Sequence, residues 1–188
     1  PLSKTAEAAM PLRFENLLQR ESLQPDATGV TRPRDQMTLE VGRLMSMSYV
    51  RDLSDPQARV LRGAIGVGLA PGESAPMPAD GVMANINLGL ADVDAWTAVL
   101  SKAAGAPLVA QGDAPGAVPA ASGYLPTVLA LRARELVVQK RTLRDVVVGG
   151  VRDGPTWRAT LAAQELNGYI EYRQAGASGP GRLRGRVA

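Results

Sequence analysis

Period-2 alternation, turn residues between the alternating runs and a single helix-period segment predict a mainly β chain, an antiparallel meander with one short amphipathic helix. The alternation is clearest in the last third. In Thr156–Gln164, Trp157, Ala159, Leu161 and Ala163 share one face, against Thr156, Arg158, Thr160, Ala162 and Gln164. In Leu166–Arg173, Leu166, Gly168, Ile170 and Tyr172 oppose Asn167, Tyr169, Glu171 and Arg173. Further on, Leu183, Gly185 and Val187 oppose Arg182, Arg184 and Arg186. Successive side chains of a strand point to opposite faces, so each segment has one apolar and one wet side. The breaks carry turn chemistry. Arg152-Asp153-Gly154-Pro155 is a hairpin signal, because Gly accepts positive φ and Pro stops the ladder. Gln139-Lys140-Arg141 is a weaker polar turn, and Gln174–Gly181 a Gly-rich loop. Asn167-Gly168 fits either a type I′ turn or a bulge or Gly kink within a strand. Short connections favour antiparallel pairing, since a parallel crossover needs about a dozen residues or more.

Taken in order, Pro1–Met10 is small and polar, with Ala-rich helical character that Pro11 interrupts. Pro11–Gln19 fits neither period, and Ser22–Gln36 reads as a loop. Met37–Arg51 reads as one strand with Met37, Leu39, Val41, Arg43, Met45, Met47 and Tyr49 on one face. Met at this spacing is core filler rather than a copper site. After the turn Ser54-Asp55-Pro56, Arg59–Ala70 is a strand with Leu61, Gly63, Ile65, Val67 and Leu69 aligned. A Pro-rich loop leads to the strand Gly81–Ala91, where Val82, Ala84, Ile86, Leu88 and Leu90 alternate against polar and small residues. The period then changes. Asp92–Ala104 predicts a short helix capped by Asp92, with Asp94 favourable at its N-terminal dipole and Val93, Trp96, Val99 and Leu100 as its stripe. The Ala/Gly/Pro-rich stretch 105–123 reads as a linker. The chain thus divides into a leading segment (1–36), strands and helix (37–104), linker (105–123) and meander (124–188), all parts of one β-rich unit.

Composition excludes several classes of function. With no Cys and no His among 188 residues, the usual zinc sites, thiol nucleophiles, Ser-His-Asp triads, imidazole acid–base chemistry and disulfides are absent. The net charge of +3 is mild, and arginines alternate with acids instead of forming a basic stripe. With one Phe, two Trp and four Tyr there is no aromatic platform for nucleic acid. Gly66-Val67-Gly68-Leu69-Ala70-Pro71-Gly72 has the glycines of a phosphate loop but not the helix that must follow it. Asp92 and Asp94 are explained by helix capping, while Asp145, Asp153, Glu165 and Glu171 are spread over turns and polar faces. No cofactor, metal or catalytic constellation emerges, and the expectation is a protein that is not an enzyme. A sheet with a large apolar face must still cover it, with the helix, another chain or an apolar ligand. Periodicity alone favours the ordinary solution, a closed β-sandwich.

A family resemblance reweights that choice. Pro1-Leu2-Ser3-Lys4 followed by Pro11-Leu12-Arg13 resembles a motif of the YhdP-type branch of the AsmA-like proteins, the DUF3971 family. Gly81-Val82 through Leu88, then Leu90-Ala91-Asp92-Val93-Asp94-Ala95-Trp96, is similar to that family's strand and Asp-x-Asp-x-Trp helix start. Leu131-Arg132-Ala133-Arg134-Glu135-Leu136, the strand Leu143–Val151, Trp157 and Leu166-Asn167-Gly168 resemble its repeating pattern. The resemblance implies a curved, open, taco-like sheet in a long envelope protein, anchored in the inner membrane and crossing the periplasm. Its apolar inner face would carry phospholipid acyl chains toward the outer membrane, in the service of outer-membrane biogenesis and membrane integrity. Leu143, Val147, Trp157, Leu161, Ile170, Leu183 and Val187, each on the more apolar set of its strand, are the groove candidates under this reading. The implied partners are acyl chains, neighbouring segments of a longer parent chain and other envelope proteins, with no nucleic acid and no cofactor. The competing expectation is a structural or docking module for outer-membrane assembly that binds no lipid itself.

Overall fold

Alternating segments that follow one another in the sequence lie side by side in space. The computed structural model describes residues 11–19, 29–70, 73–95, 122–174 and 181–188. They form a ten-stranded sheet in which spatial order equals chain order. The strands are β1 (Leu12–Leu18), β2 (Arg34–Val41), β3 (Met45–Asp52), β4 (Arg59–Val67) and β5 (Gly81–Asp92), then β6 (Val128–Val138), β7 (Arg141–Asp153), β8 (Thr156–Ala162), β9 (Asn167–Arg173) and β10 (Arg182–Val187). The sheet is open, with β1 and β10 at its edges. A helix starts at Val93, where the Ala95 N–H donates to Asp92 Oδ1 at 2.8 Å, as the cap predicts. The remainder of the predicted helix, including Trp96, Val99 and Leu100, lies outside the described residues, as do most of the linker and the N-terminal motif 1–4.

Pairing is antiparallel except at β4–β5 and β5–β6, which are parallel. Those two connections, residues 68–80 and 93–127, are both long enough for a crossover, although the comparably long connection 19–33 joins the antiparallel pair β1 and β2. The antiparallel expectation therefore holds for β1–β4 and β6–β10 and is corrected at β5. Two further corrections concern boundaries. Pro11–Gln19, ambiguous in sequence, contains the edge strand β1. Met37–Arg51 is not one strand but parts of β2 and β3, joined by the turn Gly42-Arg43-Leu44. Val41 faces Met45 across that turn, so an odd loop returns the chain in phase and the alternation runs on unbroken.

The tight hairpins have the predicted residues at their tips. Asp153 pairs with Thr156 around Gly154-Pro155, with Gly154 at φ 54°. Val138 pairs with Arg141 around Gln139 and Lys140, whose φ values of 50° and 61° are those of a type I′ turn without glycine. Asn167-Gly168 is not a turn; both residues pair within β9. Gly68, at φ 63°, is a position only glycine can fill, because a Cβ there would meet the Asn87 carbonyl oxygen at 1.9 Å. The Gly-rich stretch is thus a strand end held close to a neighbour.

Candidate functional site

Register pairing decides which side chains share a face, and here it assembles an uninterrupted apolar strip. One row across all ten strands reads Phe14, Leu39, Met47, Ile65, Ala84, Leu129, Gly150, Ala159, Ile170, Gly185. The next reads Leu12, Val41, Met45, Val67, Ile86, Leu131, Val148, Leu161, Gly168, Val187. Neither row contains a polar side chain. At a strand spacing of about 4.8 Å, ten strands make the strip roughly 43 Å long, running perpendicular to the strands. The opposite face of the same sheet is mixed, with rows such as Arg13, Glu40, Ser46, Gly66, Asn85, Ala130, Gly149, Thr160, Tyr169 and Arg186.

In the middle strands the strip broadens into a packed core. Ala91, Ala133, Leu136 and Val146 form a buried cluster against which Leu88, Leu131, Leu143, Val148 and Leu161 pack. Keeping this set on one face requires an irregularity, because Ala133 and Leu136, or Leu143 and Val146, are odd distances apart. The residues between them, Arg134-Glu135 and Arg144-Asp145, are exposed in pairs, as are Gly89-Leu90 on β5. The ladder skips Gly89, Arg134 and Asp145, and Asp145 sits at φ 51°. A line of matched unpaired positions thus crosses three adjacent strands, without shifting the register, and resets their alternation. The turn after β8 braces it: the Gln164 amide donates to Asp145, and the Glu165 carboxylate accepts the Arg144 N–H at 2.8 Å.

The strip ends in polar residues on the side toward the Tyr49 row. Tyr49 stacks edge-on against Tyr124, centroids 5.1 Å apart, and its hydroxyl donates to the Tyr124 carbonyl at 3.1 Å. Burial pushes the Tyr49 phenol above its usual pKa. Arg51 donates to both oxygens of buried Asp35 and to the Tyr124 hydroxyl at 3.2 Å. Hydrogen bonds to Asp35 and Tyr124 hold the guanidinium pKa above its ordinary range. Arg152 follows on β7, facing Trp157.

Six of the seven predicted groove residues, Leu143, Trp157, Leu161, Ile170, Leu183 and Val187, share this face. Val147 does not. The break at Asp145, with its positive φ, turns Val147 to the opposite side, where it pairs with Arg132 and Ala162 and is 49% exposed, while Val146 takes the inner position at 1%. Strict alternation from Leu143 carries the expectation past this break. Phe14 and Leu12, on a strand the sequence leaves ambiguous, extend the strip, and only their pairing with Leu39 and Val41 reveals it.

Several of the acidic groups have structural partners. Asp94 accepts the Gln139 and Lys140 N–H groups at 2.9 and 2.8 Å, closing the β6–β7 turn, and these bonds hold its carboxyl below the usual range. Its role is to hold a turn from the start of the helix, beyond the dipole interaction the sequence suggests. No group of three or more potential metal ligands occurs among the described residues.

Taken together, the fold and its site define a class, an open β-sheet with one mixed face and one face that carries a continuous apolar strip. Comparison with family models, curated proteins and solved structures finds no match to this chain.

Proposed function

We propose that the chain is a periplasmic segment of a bridge-like phospholipid transporter of the YhdP-type AsmA-like kind, and that acyl chains lie along the apolar strip. The observation that carries this reading is the pair of unbroken apolar rows spanning ten strands. A lipid path needs length, continuity and a polar exterior, and it needs no catalytic residue. The strip, at roughly 43 Å, exceeds the roughly 30 Å thickness of a bilayer's hydrocarbon core. Each methylene taken from water onto such a face contributes about 0.8 kcal/mol, without selecting a headgroup. The outer strands leave apolar side chains of the strip open, with Leu12, Phe14, Leu183 and Val187 all exposed. The inner-membrane anchor and passage toward the outer membrane belong to the proposal through the family resemblance.

Native mass spectrometry of the purified chain, with identification of released ligand, tests the reading. Phospholipid adducts should appear and should be lost in Ile170→Glu and Leu183→Glu with the fold intact. Leu161 packs against the core cluster, so Leu161→Glu reports on folding as much as on lipid. A folded chain that recovers no phospholipid, even when mixed with it in detergent, would count against the proposal and favour a docking module.

A further inference from the structure

The polar margin of the strip has two halves that differ in how their donors are used. At β3, Tyr49, Tyr124 and Arg51 satisfy one another, and Asp35 neutralises the Arg51 guanidinium. At β7–β9 the margin is the row Arg152, Trp157 and Tyr172, each directly opposite the next and each half-buried. Here donors are left over. Arg152 Nε donates to the Gly154 carbonyl at 3.0 Å and Nη2 to Gln174 Oε1 at 3.4 Å, both neutral acceptors. A guanidinium has more N–H groups than these bonds use. No carboxylate among the described residues bonds to Arg152, and neither the Trp157 indole N–H nor the Tyr172 hydroxyl has a hydrogen-bond partner among them. On the other margin the middle strands stay apolar up to the β6–β7 turn, through Leu136, Leu143 and Val138.

We propose that Arg152, with Trp157 and Tyr172, binds the phosphate of a phospholipid whose acyl chains lie on the strip; the proposal rests on the lipid reading of that strip. A planar guanidinium with unused N–H groups suits an anionic phosphodiester, and the indole N–H and phenol add neutral donors beside it. Trp and Tyr pair an apolar ring with a polar tip, which fits a border between apolar surface and water. The adjoining row on the same face, Gly150, Ala159 and Ile170, lies about 7 Å along the strands. Gly150 and Ala159 project little, so the path from Arg152 into the strip stays low. A phosphate held at Arg152 therefore leaves its acyl chains on apolar surface. Every phospholipid carries this phosphate, so the site separates phospholipids from neutral lipids without selecting one headgroup.

The test compares two lipids with the same acyl chains, phosphatidylglycerol and diacylglycerol, each offered to the whole chain in detergent and read by native mass spectrometry. The parent chain should hold phosphatidylglycerol roughly tenfold more strongly, the advantage of a charge-assisted contact. Arg152→Gln should remove that advantage and leave diacylglycerol retention as it was. Arg152→Lys should keep part of it, because the ammonium retains the charge but not the planar fork. Tyr172→Phe, which keeps the ring, should lower phosphatidylglycerol retention about two- to threefold. Circular dichroism and thermal melting confirm that each variant is folded. Equal retention of the two lipids by the parent chain, or equal loss of both in Arg152→Gln, would overturn the phosphate site and leave the strip reading standing. If the parent chain holds neither lipid, the strip reading fails and the phosphate site falls with it. Glycerol phosphate bound as tightly as phosphatidylglycerol would also overturn the proposal, by making Arg152 a site for free phosphate.

Discussion

The middle and the ends of this sheet use the same face differently. In β5–β7, Val82 and Val146 are 2% and 1% exposed, and small residues such as Ala84 and Ala133 let neighbours pack closely. At β1 and β10 the same rows continue as Leu12, Phe14, Leu183 and Val187, largely open to solvent. Apolar surface that is already buried stabilises the fold, whereas apolar surface left open is available to a ligand. The contrast separates residues that hold the sheet together from residues that can do its work, although all are read from one alternating pattern.

Variants that place charge in either region should sharpen the contrast. The largest effect is expected for Val146→Asp, which buries an unpaired carboxylate and should cost more than about 3 kcal/mol in urea unfolding. Asp35→Ala comes next: it strands Arg51 beside the Tyr49–Tyr124 contact, and removing one partner of a buried pair costs roughly 3 kcal/mol. Asp94→Asn should lower the thermal midpoint less, by loosening the β6–β7 turn. Folding depresses the Asp94 pKa below its ordinary 3.8, so its stabilisation is complete above that value and is lost as pH falls through the folded pKa. Acid titration of the thermal midpoint should therefore be shallower below pH 3.8 in Asp94→Asn than in the parent chain. The smallest stability effect belongs to Leu183→Glu, within about 0.5 kcal/mol, though it should reduce lipid retention. A large loss of stability from Leu183→Glu would erase the distinction between the two regions.

Much of this was legible in the sequence because alternation and turn residues are local signals. Trp157, Leu161, Ile170, Leu183 and Val187 fall on the face that period 2 assigns them, and Gly154-Pro155 and Gln139-Lys140 are turns where their chemistry places them. What was not legible depends on pairing between strands. The break at Gly42 leaves the pattern in phase, so nothing in the alternation marks it. The break at Asp145 shifts the phase by a position, and the groups that brace it, Gln164 and Glu165, lie on another turn. The parallel placement of β5 follows connections that carry no alternation to read, and length alone does not mark it, since 19–33 joins an antiparallel pair. Asp94 looks like a helix residue until the Gln139-Lys140 turn is brought against it.

The central claim is that one face of the sheet, and not the other, carries acyl chains. Site-specific photo-crosslinking tests it most directly. A photoreactive side chain would be placed in turn at Ile170, Leu183 and Val187, and at Tyr169, Arg182, Arg184 and Arg186 on the opposite face, in chain incubated with phospholipid. Lipid adducts at the first three positions and none at the other four would bear out the apolar strip as the lipid path. Equal labelling of both faces, or none on either in folded protein, would contradict it.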